Sequence, residues 1–188
     1  MNMRLCTIDF ETANQNMGSA CSIGVVVSEG SEIIFEANHL LRPHHTVFYF
    51  DPKNISIHNI LPSDVEYEAE FDQVFEILRP WFETSIIMAH NANFDMTVLR
   101  KLFQLYKIDN PRIKYIDSLE IARKILPRLH NHRLNTVCEY FGIELNHHDA
   151  LSDARGACLI ALNAMAALED FDLQLLIDKL DLRIGYII

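Results

Sequence analysis

Asp9 and Glu11 stand two residues apart at the end of a short apolar run, Arg4 to Phe10, and on a strand that spacing points both carboxylates to one side. An isolated Asp-x-Glu at a strand end is most often a polar turn. Two further acids change the weighing. Asp95 lies three and four residues before Val98 and Leu99, and Asp153 lies four, seven, eight and eleven residues before Ala157, Ile160, Ala161 and Ala164. Each therefore falls on the apolar face of a helical pattern, where an unpaired charge is costly. Each also falls in the first turn of its helix, where the positive helix end or a capping role offers a second explanation. One such acid is ordinary. Two of them, with a pair at a strand end, imply a shared site.

Four converging carboxylates repel one another, and at neutral pH some take up protons unless a cation compensates them. Hard oxygen donors in that number suit Mg²⁺ or Mn²⁺. Two such ions about 4 Å apart activate a water and stabilise a leaving oxygen in phosphoryl transfer. That chemistry also needs a proton acceptor, and His148, five residues before Asp153, has an imidazole suited to the task. The chain has nine histidines, and His147 is adjacent, so either could equally be a solvated loop residue. A zinc hydrolase is disfavoured because no H-E-x-x-H or comparable spacing occurs.

The elements that must carry these residues are readable from periodicity. Arg4–Phe10, Cys21–Ser28 and Glu32–Leu41 read as strands of an antiparallel meander, with Gly30 and Ser31 as a turn. Residues 43–69, with Pro43, Pro52 and Pro62, read as surface loops and short helical turns. Phe71, Val74, Phe75, Leu78 and Phe82 form one helical stripe, followed by a buried strand over Ser85–His90. Helices are expected from Asn93 to Tyr106, Ser118 to Leu126, Leu134 to Phe141 with a stop at Gly142, and Ala150 to Leu168, with a brief strand over Ile113–Asp117. Strands that lead and then alternate with helices imply an α/β domain. Residues 1–170 are expected to form it, with 171–188 as a helical and apolar tail packed on the same domain.

The bulk numbers narrow the partners. With 188 residues, 49% of them apolar, the chain supports one well-buried core. Twenty-six acidic against sixteen basic side chains give a net charge of −10, which argues against gripping long nucleic acid through a broad basic face. A small site engaging a few nucleotides through bound cations and backbone amides tolerates that balance. Cys6, Cys21, Cys138 and Cys158 show no zinc-type spacing and read as core residues of a reducing compartment. No apolar stretch suits a membrane span, and Arg4, Asp9 and Glu11 interrupt the start of the chain, so the cytoplasm is the expected location.

The segments Ile8-Asp9-Phe10-Glu11-Thr12, Ala89-His90-Asn91-Ala92-Asn93-Phe94-Asp95 and His148-Asp149-Ala150-Leu151-Ser152-Asp153-Ala154 resemble, in order and spacing, the three exonuclease motifs of the DEDDh group. This is the family of the proofreading epsilon subunit of bacterial DNA polymerase III and its stand-alone relatives. The resemblance runs from about Arg4 to Leu168. It implies an RNase H-like (DnaQ-like exonuclease) fold with a central mixed five-stranded sheet and helices on both faces. It implies removal of nucleotides from a 3′ end as 5′-monophosphates, with single-stranded or frayed DNA, or RNA, as the partner and no membrane.

Carried over by position, the resemblance makes Asp9, Glu11, Asp95 and Asp153 ligands of two divalent cations, Mg²⁺ or Mn²⁺, and His148 the general base. The family's histidine stands five residues before its last aspartate, which selects His148 over His147. Thr12, Asn91 and Phe94 would shape the pocket for the terminal nucleotide. Asp117 would be a cap or framework residue, and His132-Arg133-Leu134 would precede a framework helix. Asp149 adds negative charge beside His148 and should raise its pKa. The chain lacks the polymerase-binding extension of the replicative subunit, which favours a repair or turnover exonuclease. A 3′-to-5′ exoribonuclease of the RNase T or oligoribonuclease kind shares the same catalytic set. A binding module that has lost catalysis is disfavoured because all five catalytic positions are filled.

Overall fold

The computed structural model describes residues 3–109 and 112–187. Three strands open the chain: β1 (Arg4–Thr12), β2 (Ala20–Glu29) and β3 (Glu32–Leu40), joined as an antiparallel meander. Two short helices follow, α1 (Pro52–His58) and α2 (Pro62–Val65), then α3 (Phe71–Thr84), β4 (Ser85–Ala89), α4 (Asn93–Tyr106) and β5 (Ile113–Asp117). The remainder is α5 (Ser118–Ile125), α6 (Leu134–Phe141), α7 (Ala150–Ala167), α8 (Leu173–Leu180) and β6 (Gly185–Ile187).

The sheet order is β3-β2-β1-β4-β5-β6, with β4 and β5 parallel to β1 and the outer pairings antiparallel. The sheet is mixed, as expected, but among the described residues it has six strands rather than five. The extra strand is three residues of the apolar tail, too short to show a period of two, and it exists only because β5 offers an open edge. The tail's expected apolar end reaches to Ile188, which lies outside the described residues. Gly185 permits the pairing, since a Cβ there would lie 2.1 Å from the ring of Tyr115.

Alternation along β1 divides the core. Cys6, Ile8 and Phe10 face one side, where α3 and α4 bring Phe75, Leu78, Leu99 and Leu102. Leu5 faces the other, where α5, α6, α7 and α8 bring Ile121, Val137, Ile160 and Leu176. Asp9 and Glu11 share the parity of Leu5 and so look toward α7. The helix over Phe71–Thr84 buries every residue of the stripe read from the sequence, and α6 ends at Gly142 with a left-handed φ of 67°. Residues 43–69 are more ordered than their prolines suggested. Asp51 caps α1 by accepting from Lys53 N at 2.8 Å, with Pro52 in the first turn where its missing N–H costs nothing.

No helix among the described residues is long and apolar enough to cross a membrane. All four cysteines are free and buried.

Candidate active site

β1 outruns its neighbour. β4 pairs with it only as far as Thr7, and the chain then leaves β4 for α4. The Phe10 N–H is left beyond that last pair, and Asp95, in the first turn of α4, accepts it at 3.0 Å. This bond fixes Asp95, 2% exposed, beside the strand end that carries Asp9 and Glu11.

The opposite wall comes from α7. Its N-terminus can approach the sheet only because Gly24 stands across from Asp9 in β2. A Cβ at residue 24 would lie 2.1 Å from the Ala150 carbonyl oxygen. Asp149 caps the helix, accepting from Ser152 N at 2.8 Å, and Asp153 follows one turn later, 4% exposed.

Carboxylate oxygens of Asp9, Glu11 and Asp153 lie within 4.8 Å of one another. Burial, and then the charges of Asp95, Asp153 and Glu11, hold the Asp9 carboxyl well above the usual carboxylate range. Burial and the charges of Asp153 and Asp95 push Glu11 up to about 8. Burial likewise pushes Asp95 up to about 8, against the opposing pull of its backbone hydrogen bonds. Among the described residues, no lysine or arginine forms an ion pair with any of the four. Four acidic side chains, crowded and without a protein counter-charge, form a donor set that suits a hard divalent cation.

Both candidate histidines border this cluster. His147 Nδ1 lies 2.9 Å from Asp153 Oδ2, and the backbone N–H of His148 donates to the same oxygen at 3.1 Å. His148 has a left-handed φ of 71°, and the two rings stack with centroids 4.0 Å apart. The expectation that Asp149 raises the His148 pKa is corrected. Burial and the neighbouring His147 lower it, Asp153 opposes them, and the Asp149 carboxylate is turned into the helix N-terminus as a cap.

Two clefts meet at Asp9, His147 and Asp153. The smaller, about 330 Å³, is lined by Thr12, Asn54, Ile57, His58, Phe94 and His148. Thr12 is buried, and its carbonyl accepts from Asn54 Nδ2 at 2.7 Å and from His58 Nε2 at 3.2 Å. His58 Nδ1 accepts from Ile60 N at 3.0 Å, which leaves Nε2 as the donor. Asn54, Ile57 and His58 were missed by sequence reasoning because they come from α1. The Asp51-Pro52 cap was the signal that could have found them. The larger cleft, about 570 Å³, is lined by His90, Asn91, Arg123, Asn131, His132 and Arg133. Asn91 was expected to share a pocket with Phe94. It lines this second cleft instead, because its left-handed φ of 63° and its N–H bond to Asp117 Oδ1, 2.9 Å, turn the two residues apart. Asp117 also caps α5 through Leu119 N at 2.8 Å, the framework role expected of it.

A family model described as an exonuclease, RNase T, matches residues 6–161. The PolC-type DNA polymerase III of Oceanobacillus iheyensis is 35% identical over 133 residues, which is 70% of this chain and 9% of the polymerase. That of Thermotoga maritima is 33% identical over 152 residues, 79% of this chain and 11% of the polymerase. The chain thus spans about a tenth of the length of these relatives. The nuclease domain of 3′hExo, a DEDDh family member solved with rAMP, superposes with a TM-score of 0.74 at 19% identity, covering 98% of this chain and 96% of that one. Exonuclease X, solved with 5′-overhanging duplex DNA, gives a TM-score of 0.68 at 21% identity, covering 87% and 92%. These likenesses establish the RNase H-like fold.

Proposed function

The chain belongs to the RNase T exonuclease family, as a DnaQ-like member, and from that premise we propose that it removes nucleotides from the 3′ end of single-stranded or frayed DNA as 5′-monophosphates. The observation that carries this reading is the convergence of Asp9, Glu11 and Asp153 within 4.8 Å, with Asp95 close enough to shift the ionisation of Asp9. DNA is preferred to RNA because the relatives in sequence are DNA polymerases.

The family uses divalent cations, and Asp9, Glu11, Asp95 and Asp153 are the residues to hold a pair of them, Mg²⁺ or Mn²⁺. When bound, such a pair supplies activation of the attacking water and charge compensation at the leaving oxygen. The chain's own residues do the rest. The Thr12, Asn54, Ile57 and Phe94 cleft takes the terminal nucleoside, with apolar walls for the base and amide groups for the sugar. The His148 imidazole, kept neutral at physiological pH by burial and by His147, accepts the proton of the attacking water. Its backbone N–H holds Asp153 in place, which ties the base to the carboxylate cluster.

The test is digestion of 3′- and 5′-labelled single- and double-stranded DNA and RNA, with and without Mg²⁺ or Mn²⁺, alongside Asp153→Asn. Metal-dependent release of 5′-mononucleotides from the 3′ end, lost in the variant, is the expected result. No digestion of any oligonucleotide with either metal would overturn the proposal.

A further inference from the structure

The two clefts that meet at Asp9, His147 and Asp153 differ in chemistry. Among the described residues, the smaller is lined by no lysine or arginine. The larger carries Arg123 and Arg133, both exposed, together with Asp9 and Asp153. Of the ten arginines, Arg4, Arg79 and Arg155 each pair with a glutamate, and the other seven form no ion pair among the described residues. Arg123 and Arg133 form no ion pair with any described residue. What sets these two apart from the other arginines without an ion pair is their place, in one cleft with Asp9 and Asp153.

That placement is specific. Arg133 is the N-cap residue of α6 and Arg123 sits in the last turn of α5, so the segment joining these helices sets their separation. His90, from the second motif, pins that segment. Its ring is half-buried, with Nε2 2.9 Å from the His132 carbonyl and Nδ1 2.9 Å from Ser118 Oγ. His132 Nε2 in turn lies 2.9 Å from the Leu126 carbonyl, and Asn131 Oδ1 accepts from Arg133 N at 3.0 Å. The result is a pair of cationic side chains set in one cleft with Asp9 and Asp153.

Resting on the function proposed above, we infer that Arg123 and Arg133 bind the phosphates of the strand on the 5′ side of the scissile bond, while the smaller cleft holds the nucleoside to be released. The strand crosses the carboxylates from a cleft that carries arginines into one lined by none among the described residues. Specificity for a polynucleotide, as against a simple nucleotide ester, then resides in Arg123 and Arg133. His90 acts as a positioning residue for that pair.

The experiment compares two substrates in the full chain with Mn²⁺. Thymidine 5′-(p-nitrophenyl) phosphate has a terminal nucleoside and no phosphate beyond the scissile one; a single-stranded oligonucleotide has both. The variants are Arg123→Gln/Arg133→Gln and the charge-retaining Arg123→Lys/Arg133→Lys. The Gln pair is expected to leave hydrolysis of the nitrophenyl ester unchanged and to raise KM for the oligonucleotide. It should also flatten the salt dependence of log kcat/KM by about 0.7 per lost phosphate contact, about 1.4 in all. The Lys pair is expected to keep most of that salt dependence. Unchanged KM and salt slope in the Gln pair would overturn the inference, and so would an equal loss on both substrates. If the unmodified chain cleaves neither substrate, the function itself fails; if it cleaves both and the variants match it, the function stands and only the strand-binding assignment falls.

Discussion

Gly24 of β2 and Ala150 of α7 are in backbone contact, and a single added methyl at residue 24 would sit 2.1 Å from the Ala150 carbonyl oxygen. Gly24 pairs with Asp9 across the sheet, and Ala150 lies three residues before Asp153. The distance between two acids 144 positions apart is therefore governed by the absence of a side chain at a third.

Gly24→Ala is accordingly expected to push the N-terminus of α7 off the sheet. Overpacking of this kind costs about 1–3 kcal/mol, and each kcal/mol lowers Tm by about 2–4 °C in a chain of this size. Activity should fall further than stability, because the displaced helix carries Asp153 and the turn leading into it carries both histidines. An unchanged Tm with full activity would show that the contact does not position the site.

Asp95 has two roles that separate by substitution. Asp95→Asn keeps an oxygen to accept from Phe10 N and removes the charge, so its Tm without metal should match or exceed that of the parent while metal-dependent activity collapses. Asp95→Ala also abandons the Phe10 N–H, and loss of that buried bond should cost about 1–3 kcal/mol. Thermal unfolding in EDTA, compared with cation titration of activity, distinguishes the two. Equal Tm values for the two variants would refute a structural role for the bond.

The carboxylate cluster makes stability depend on pH in a defined direction. Glu11 and Asp95 both have folded-state pKa values near 8, above those of an unfolded chain. The folded state thus holds protons that the unfolded state has released. Their contribution is fully present below the unfolded pKa and is lost as pH rises from about 4.5 to about 8. In EDTA, Tm is expected to decline across that window. Added Mg²⁺ or Mn²⁺ should raise Tm most at the alkaline end, where the carboxylates bind cation without first losing protons. A metal-free Tm that climbs with pH over the same range would contradict this.

His148→Ala is expected to lower kcat about 10²- to 10⁴-fold with little change in KM, the range for a lost general base. A base works deprotonated, so activity of the parent should fall as pH drops through a pKa below the ordinary 6.5, and the variant should lose that acid limb. His147→Ala, which removes a contact to Asp153, should cost about 10- to 100-fold and respond to added metal. Should the acid limb vanish with His147 instead, the roles of the two rings are exchanged.

Local order was legible because it depends on neighbours in the chain. The stripe from Phe71 to Phe82, the stop at Gly142 and the shared face of Asp9 and Glu11 follow from periods of 3.6 and 2 and from glycine's tolerance of positive φ. The oddity of Asp95 and Asp153 was legible too, since each breaks the apolar side of its own helix. The sixth strand was not, because three residues carry no period and pair only when β5 presents an edge. The ordering of α1 was signalled by Asp51-Pro52, yet that cap says nothing of where Asn54 and His58 would point.

What remained to the folded molecule is every relation between distant segments. Residue types, motif spacing and one-sided patterning named the carboxylates, the histidine pair and the α/β architecture, since each of these is a property of a short stretch of chain. That Asp95 takes the N–H of Phe10, that Asn91 and Phe94 fall into different clefts, that Asp149 caps a helix end, and that two arginines share a cleft with Asp9 and Asp153 all depend on how elements dock. Docking is set by side-chain volume and backbone direction summed over the whole core, and no local window contains that sum.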